Sequence, residues 1–117
     1  MSYIDGFVVP IPKSKLAEYK AFAREARDVW REHGALDYRE WVADDVKPGK
    51  LTSFPQAVQL GEDEVVAFSW ITYKSRAHRD EVNKKVMEDP RMKKDPSVWP
   101  FDGKRMIYGG FAPLLEE

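Results

Sequence analysis

The sequence predicts an α+β domain, a four-stranded antiparallel sheet with two helices on one face, in the order strand, helix, strand, strand, helix, strand. The strand–helix–strand pattern runs through residues 3–46 and again through 64–113. In each pass a stretch with apolar residues every three or four positions lies between stretches of simple alternation. A chain of 117 residues forms one domain with a real core, so residues 1–117 are read as a single unit.

Residues 3–11 alternate as a first strand, ended by Pro10 and Pro12, which lack the amide donor a ladder requires. Ser14 stands where a helix N-cap belongs. Leu16, Tyr19, Phe22, Ala23, Ala26, Trp30 and His33 then form one apolar stripe, and Gly34 offers a left-handed stop. Residues 36–46 read as a second strand, with Tyr38, Glu40 and Val42 on one face and Arg39, Trp41 and Ala43 on the other. Its charge suits a sheet edge. The loop over 47–63 is long for so small a domain. Leu51, Phe54, Val58 and Leu60 make it too apolar for a free linker, so it is expected to pack, with a short extra strand as one form of that packing.

Residues 64–73 alternate strongly as the third strand. Ser75 is the expected cap of a second helix running to about Asp89, before Pro90, with a thinner stripe of Ala77 or His78, Val82, Val86 and Met87. A proline-containing connection with Trp99 and Phe101 leads to a last strand over 104–113.

In the strand order four-one-three-two, the first and third strands are central, and these are the most apolar. Both of their faces are apolar: Tyr3, Phe7 and Val9 oppose Ile4 and Val8, while Val65, Ala67 and Ile71 oppose Val66, Phe68 and Trp70. Two helices cover only one face of a sheet. The other face would expose more apolar surface than a soluble monomer tolerates, so a homodimer packed sheet on sheet is expected.

The composition, 43% hydrophobic and 33% charged, suits a folded domain. A net charge of -1 without a basic cluster argues against nucleic acid or an anionic membrane as partner. The absence of cysteine removes disulfides and thiolate chemistry, and with no signal-peptide pattern or long apolar run it fits a soluble, cytoplasmic protein.

Tyr3-Ile4-Asp5-Gly6-Phe7-Val8-Val9-Pro10, Phe68-Ser69-Trp70-Ile71 and the stretch Pro100-Phe101-Asp102-Gly103-Lys104-Arg105-Met106-Ile107-Tyr108-Gly109-Gly110-Phe111 resemble the YbaA-like family of bacterial proteins (domain of unknown function 1428). The resemblance spans nearly the whole chain and implies a ferredoxin-like fold of the dimeric α/β-barrel type. It brings no activity and no catalytic residues. The wider superfamily holds cofactor-free monooxygenases, haem-degrading enzymes and small-molecule binders, among which a fold does not choose.

Few residues point to chemistry. His33 and His78 are the only imidazoles, and their separation has no metal-ligand spacing, so neither metal nor cofactor is expected. His33, just before Gly34, reads as a packed or capping histidine. His78, in the first turn of the second helix, could line a cleft and act as a base. Asp5 shares a face with Tyr3, Phe7 and Val9, so its carboxylate should be buried and must be paired, with Arg105 or Arg39 as candidates. A paired charge outweighs an acid–base role for it. Asp102-Gly103 reads as a turn before an anion site, since alternation would send Lys104 and Arg105 to opposite faces. Gly109-Gly110 suggests a bulge or close backbone approach. The surplus of aromatics offers Trp70 and Tyr38 as floor and wall of a flat apolar pocket.

These residues leave two readings. The chain binds or transforms a small apolar or aromatic molecule between helices and sheet, with Trp70 and Tyr38 holding it and His78 and Asp5 as the only acid–base candidates. Alternatively, it is a non-enzymatic dimeric module. A cavity lined by Trp70, His78 and Asp5 favours the first reading and a solid interior the second. RNA binding is a distant third.

Overall fold

Alternation builds the sheet, and pairing register decides what each face carries. The computed structural model describes residues 2–116. Its strands are β1 (Tyr3–Pro12), β2 (Asp37–Val42), β3 (Glu64–Tyr73) and β4 (Ile107–Phe111), and its α-helices are α1 (Leu16–Glu32), α2 (Phe54–Ala57) and α3 (Arg76–Glu88). The strands form one sheet in the order β2-β3-β1-β4, all neighbours antiparallel, which is the order read from the apolar character of β1 and β3. β1 pairs with β3 from Tyr3↔Tyr73 to Pro12↔Glu64, and with β4 from Ile4↔Phe111 to Val8↔Ile107.

The long helices α1 and α3 cover the face bearing the odd-numbered residues of β1 and β3. One core cluster joins Val29 and Ala35 to Ile71 and Tyr73 of β3 and to Val82 and Val86 of α3. A second joins Val9 and Ile11 of β1 and Ala67 of β3 to Tyr19 and Ala23 of α1. α1 stops as its glycine predicts. Gly34 sits at φ 116, and the Ala35 N–H donates to the Trp30 carbonyl at 3.0 Å, closing the last turn. α3 starts as its serine predicts, with Ser75 Oγ accepting the His78 N–H at 3.1 Å.

Four expectations are corrected. Ser14 does not cap α1: it lies inside a 3-10 turn (Lys13–Lys15), and Lys15, which makes no side-chain cap bond, takes the cap position. β2 is shorter than 36–46, because its ladder ends with the Ala43 N–H on the Val66 carbonyl at 2.9 Å and Asp44-Asp45 then bend away. The 47–63 loop packs, but through α2 rather than a strand, with Ser53 Oγ capping the Gln56 N–H and Pro55 in the first turn. β4 begins only at Ile107, since Asp102 holds a turn by accepting the Lys104 N–H at 3.0 Å.

The opposite face of the sheet carries no long helix. There Trp41 (48% exposed), Phe68 (42%) and Phe111 (58%) remain open to solvent. Trp41 and Trp70 pack at 5.5 Å between ring centroids, Phe68 meets Trp70 edge-on at 5.8 Å, and α2 lays Phe54 on Phe68 at 5.7 Å. The loop thus shields one corner of this face.

Candidate functional site

β2 is short and lies at the sheet edge, so α1 overhangs it without a neighbouring strand to fill the space. The result is an open cleft of about 690 Å³ between the first half of α1 and the β2 side of the sheet. Register directs the β2 side chains: Tyr38 pairs with Ile71, Glu40 with Ser69 and Val42 with Ala67, all on the helix side. Ile11, Ala23 and Ala67 give the cleft an apolar floor, Tyr19 and Tyr38 wall it, and Lys20, Arg24 and Arg27 line it from α1.

Glu40 is the polar centre. The Tyr19 hydroxyl donates to Glu40 Oε1 at 2.8 Å and the Tyr38 hydroxyl to Oε2 at 3.0 Å. Burial raises the Glu40 pKa above the ordinary carboxyl value, although bonds from Tyr19, Tyr38 and Ser69 oppose the shift. Burial, reinforced by Glu40, also pushes both tyrosine hydroxyls well above their usual range, so they act as donors and not as phenolates. A carboxyl clasped by two neutral hydroxyls beside an apolar floor can orient a bound molecule by hydrogen bonding. Glu40 escapes a search for histidines and turns, yet its signal was in the alternation that placed it beside Tyr38 and Val42.

Of the residues singled out in the sequence, Tyr38 lines this cleft. Trp70 does not. It pairs with Arg39 and faces away from the helices, so Trp70 and Tyr38 lie on opposite sides of the sheet, and Trp70 does not line the cleft that Tyr38 walls. Asp5 is buried on the helix face (6% exposed), but neither expected partner reaches it. Arg79 of α3 holds Asp5 at 2.6 Å, with Asn83 at 3.5 Å. Arg105 binds Glu64 through both guanidinium nitrogens at 2.7 and 2.6 Å, and Arg39 binds Asp37 at 2.6 Å.

The Asp5 surroundings form a closed polar network. Asn83 also accepts the Trp30 Nε1–H at 3.1 Å, and the Tyr3 ring lies 5.0 Å from the Arg79 guanidinium. Among the described residues no buried side-chain nitrogen or oxygen lacks a partner. The close approach expected at Gly109-Gly110 occurs at Gly110, where a Cβ would collide with the Tyr3 hydroxyl and the Arg79 guanidinium.

His78 stands edge-on to Tyr73 at 6.1 Å, and its Nδ1 accepts the Lys74 N–H at 3.0 Å. The lone pair a general base uses is therefore engaged in fixing the start of α3. His33 joins the ends of α1 and α3, its Nε2 lying 2.9 Å from Asp89 Oδ2. Arg91 and then His33 hold the Asp89 carboxyl well below the usual range. Among the described residues no group of three or more His, Cys, Asp or Glu is placed to hold a metal ion, and no helix is long and apolar enough to cross a membrane.

The family described as "Protein of unknown function (DUF1428)" matches residues 2–103. The chain is 50% identical over 117 residues to the uncharacterized protein YbaA of Escherichia coli (strain K12), covering 100% of both chains, and equally to that of Shigella flexneri. Among solved structures it is similar to the de novo designed protein Foldit4, with a TM-score of 0.42 and 6% identity over 95% of this chain and 94% of that one.

Proposed function

The chain belongs to the DUF1428 family, and from that premise and the cleft's geometry we propose a homodimeric protein that binds a small apolar or aromatic molecule between its helices and its sheet. The observation that carries this reading is the open cleft of about 690 Å³ with Glu40, Tyr19 and Tyr38 at its polar centre. Its volume lies in the range typical of small-molecule sites, and an apolar lining with few convergent polar groups is their usual composition. Binding is favoured over chemistry because the acid–base candidates are otherwise engaged, Asp5 by Arg79 and His78 by the Lys74 amide.

The strand order and the two long helices on one face support a ferredoxin-like fold, and the other face supports a dimeric α/β barrel. Its central positions, from Ile4 and Val8 through Phe68 and Trp70 to Ile107 and Phe111, carry no charge, so a second copy related by a two-fold axis would meet a centre that is apolar and aromatic apart from Thr72, with Asp37 and Arg39 at the β2 rim. Strands about 4.8 Å apart and up to ten residues long offer roughly 500 Å² of projected face. Side chains standing on that face bring the area towards the roughly 800 Å² per partner of a stable interface.

Mass spectrometry of ligands retained by gently purified protein tests the first part, backed by tryptophan fluorescence with a panel of aromatic and quinone-like compounds. The expected result is a bound molecule displaced by Ala17→Trp, which fills the cleft from an exposed position. Binding that survives Ala17→Trp but is lost in Trp70→Ala would move the site to the outer sheet face. Light scattering at micromolar concentration should give twice the chain mass, and a stable monomer would overturn the dimer.

A further inference from the structure

The cleft is electrically lopsided. Lys20, Arg24 and Arg27 occupy successive turns of α1 at spacings of four and three, which places them on one stripe of the helix along the cleft. Arg27 is bonded only to its exposed neighbour Asp28, at 3.1 Å. Among the described residues Lys20 and Arg24 make no ion pair and no side-chain hydrogen bond. Among the described residues the only carboxyl group lining the cleft is Glu40, which is already clasped by Tyr19 and Tyr38 on the β2 side. An occupant therefore meets an apolar floor at Ile11, Ala23 and Ala67, neutral hydroxyls on one side, and two uncommitted cations on the other.

We propose that the molecule bound here is an amphipathic organic anion, with an apolar or aromatic body against Ile11, Ala23 and Ala67 and a carboxylate or similar group paired with Lys20 and Arg24. The inference rests on the reading of the cleft as a binding site and adds the charge class of the ligand. Arg24 can take a carboxylate through two parallel N–H bonds, whereas Lys20 contributes a mobile point charge. Exposed cations add little by themselves. Against a partly desolvated ligand they discriminate between charged and uncharged molecules of the same shape.

The test uses the full chain with naphthoate and its uncharged amide, naphthamide, titrated by calorimetry at low and high salt. Naphthoate should bind roughly tenfold more tightly at low salt, and added salt should erase the difference. The double variant Lys20→Gln/Arg24→Gln should weaken naphthoate to the level of naphthamide while leaving naphthamide unchanged, and Ala17→Trp should weaken both. Equal binding of the two probes, weakened by Ala17→Trp but untouched by the double variant, would overturn the anionic ligand and leave the cleft standing. Binding indifferent to Ala17→Trp, or no binding of either probe at millimolar concentration, would overturn the cleft and with it this inference.

Discussion

Removing Arg79 should destabilise the protein much more than neutralising Asp5, although the two side chains form one ion pair. The pair is largely dry, with Asp5 6% exposed and the Arg79 side chain 17% exposed, and the contact is 2.6 Å. Breaking a buried pair from one side leaves an uncompensated charge and costs about 3–5 kcal/mol. In Arg79→Met the Asp5 carboxylate keeps only the long bond from Asn83 and the nearby Tyr73, so a cost of about 3 kcal/mol follows, at the low end because water reaches the edge of the site. In Asp5→Asn the guanidinium keeps Asp80 at 2.8 Å and the Tyr3 ring at 5.0 Å, and the cost drops to about 1–2 kcal/mol. The double variant Asp5→Asn/Arg79→Met should resemble Asp5→Asn alone, giving a coupling of about 3 kcal/mol, the whole cost of Arg79→Met. Urea denaturation reads this directly. With a slope of about 1.5 kcal/mol per molar, Arg79→Met lowers the midpoint by about 2 M. Costs below about 0.5 kcal/mol for Arg79→Met, or a costlier Asp5→Asn, would refute the idea that burial makes this pair matter.

Gly110→Ala should destabilise by about 1–3 kcal/mol, because its Cβ would drive Tyr3 and Arg79 apart, and an unchanged urea midpoint would show that the strand edge yields. For Glu40, a folded pKa raised above the ordinary 4.5 means that its contribution to stability is fully present below that value and is lost as pH rises through the raised one. The wild-type urea midpoint should therefore fall relative to Glu40→Gln over that window, and parallel profiles would contradict the burial of this carboxyl. Phe68→Glu, placing a charge beside Trp70 on the outer sheet face, should convert the proposed dimer to monomer in light scattering, and a persistent dimer would put the interface elsewhere.

Much of the framework could be read from periodicity. β3 runs over the expected residues, Ser75 and Gly34 terminate helices as their chemistry dictates, and the apolar content of β1 and β3 located the sheet centre. Periodicity reports which residues share a face of one strand. It does not report which faces of two strands coincide, and this separated Trp70 from Tyr38. The partner of Asp5 was hidden for a related reason: Arg79 sits in the charged stretch Arg76–Asp80, where nothing local marks one cation as inward-facing, and only the docking of α3 selects it. Loop 47–63 packs as its apolar content requires but takes a helical turn instead of a strand, and residues 104–106 stay outside β4, because capping and turn bonds from Ser53 and Asp102 compete with strand pairing there. Glu40 was legible as a face assignment and overlooked as a group, since charge on an edge strand ordinarily means solvent.

The four tryptophans fall in three separate surroundings, and this gives the chain its own optical labels. Trp30 donates its indole N–H to Asn83 and lies 6.2 Å from Tyr38, so its emission reports on the cleft wall and on the polar network behind it. Trp99 stacks on Phe101 at 5.4 Å, beyond α1, and serves as an internal reference. Trp41 and Trp70 are an indole pair at 5.5 Å on the bare side of the sheet, close enough for their excited states to couple and produce a circular-dichroism signal that depends on their relative angle. Trp30 and the Trp41–Trp70 pair thus report on the cleft wall and on the outer sheet face in the unmodified protein, with Trp41, which also borders the cleft, answering to both.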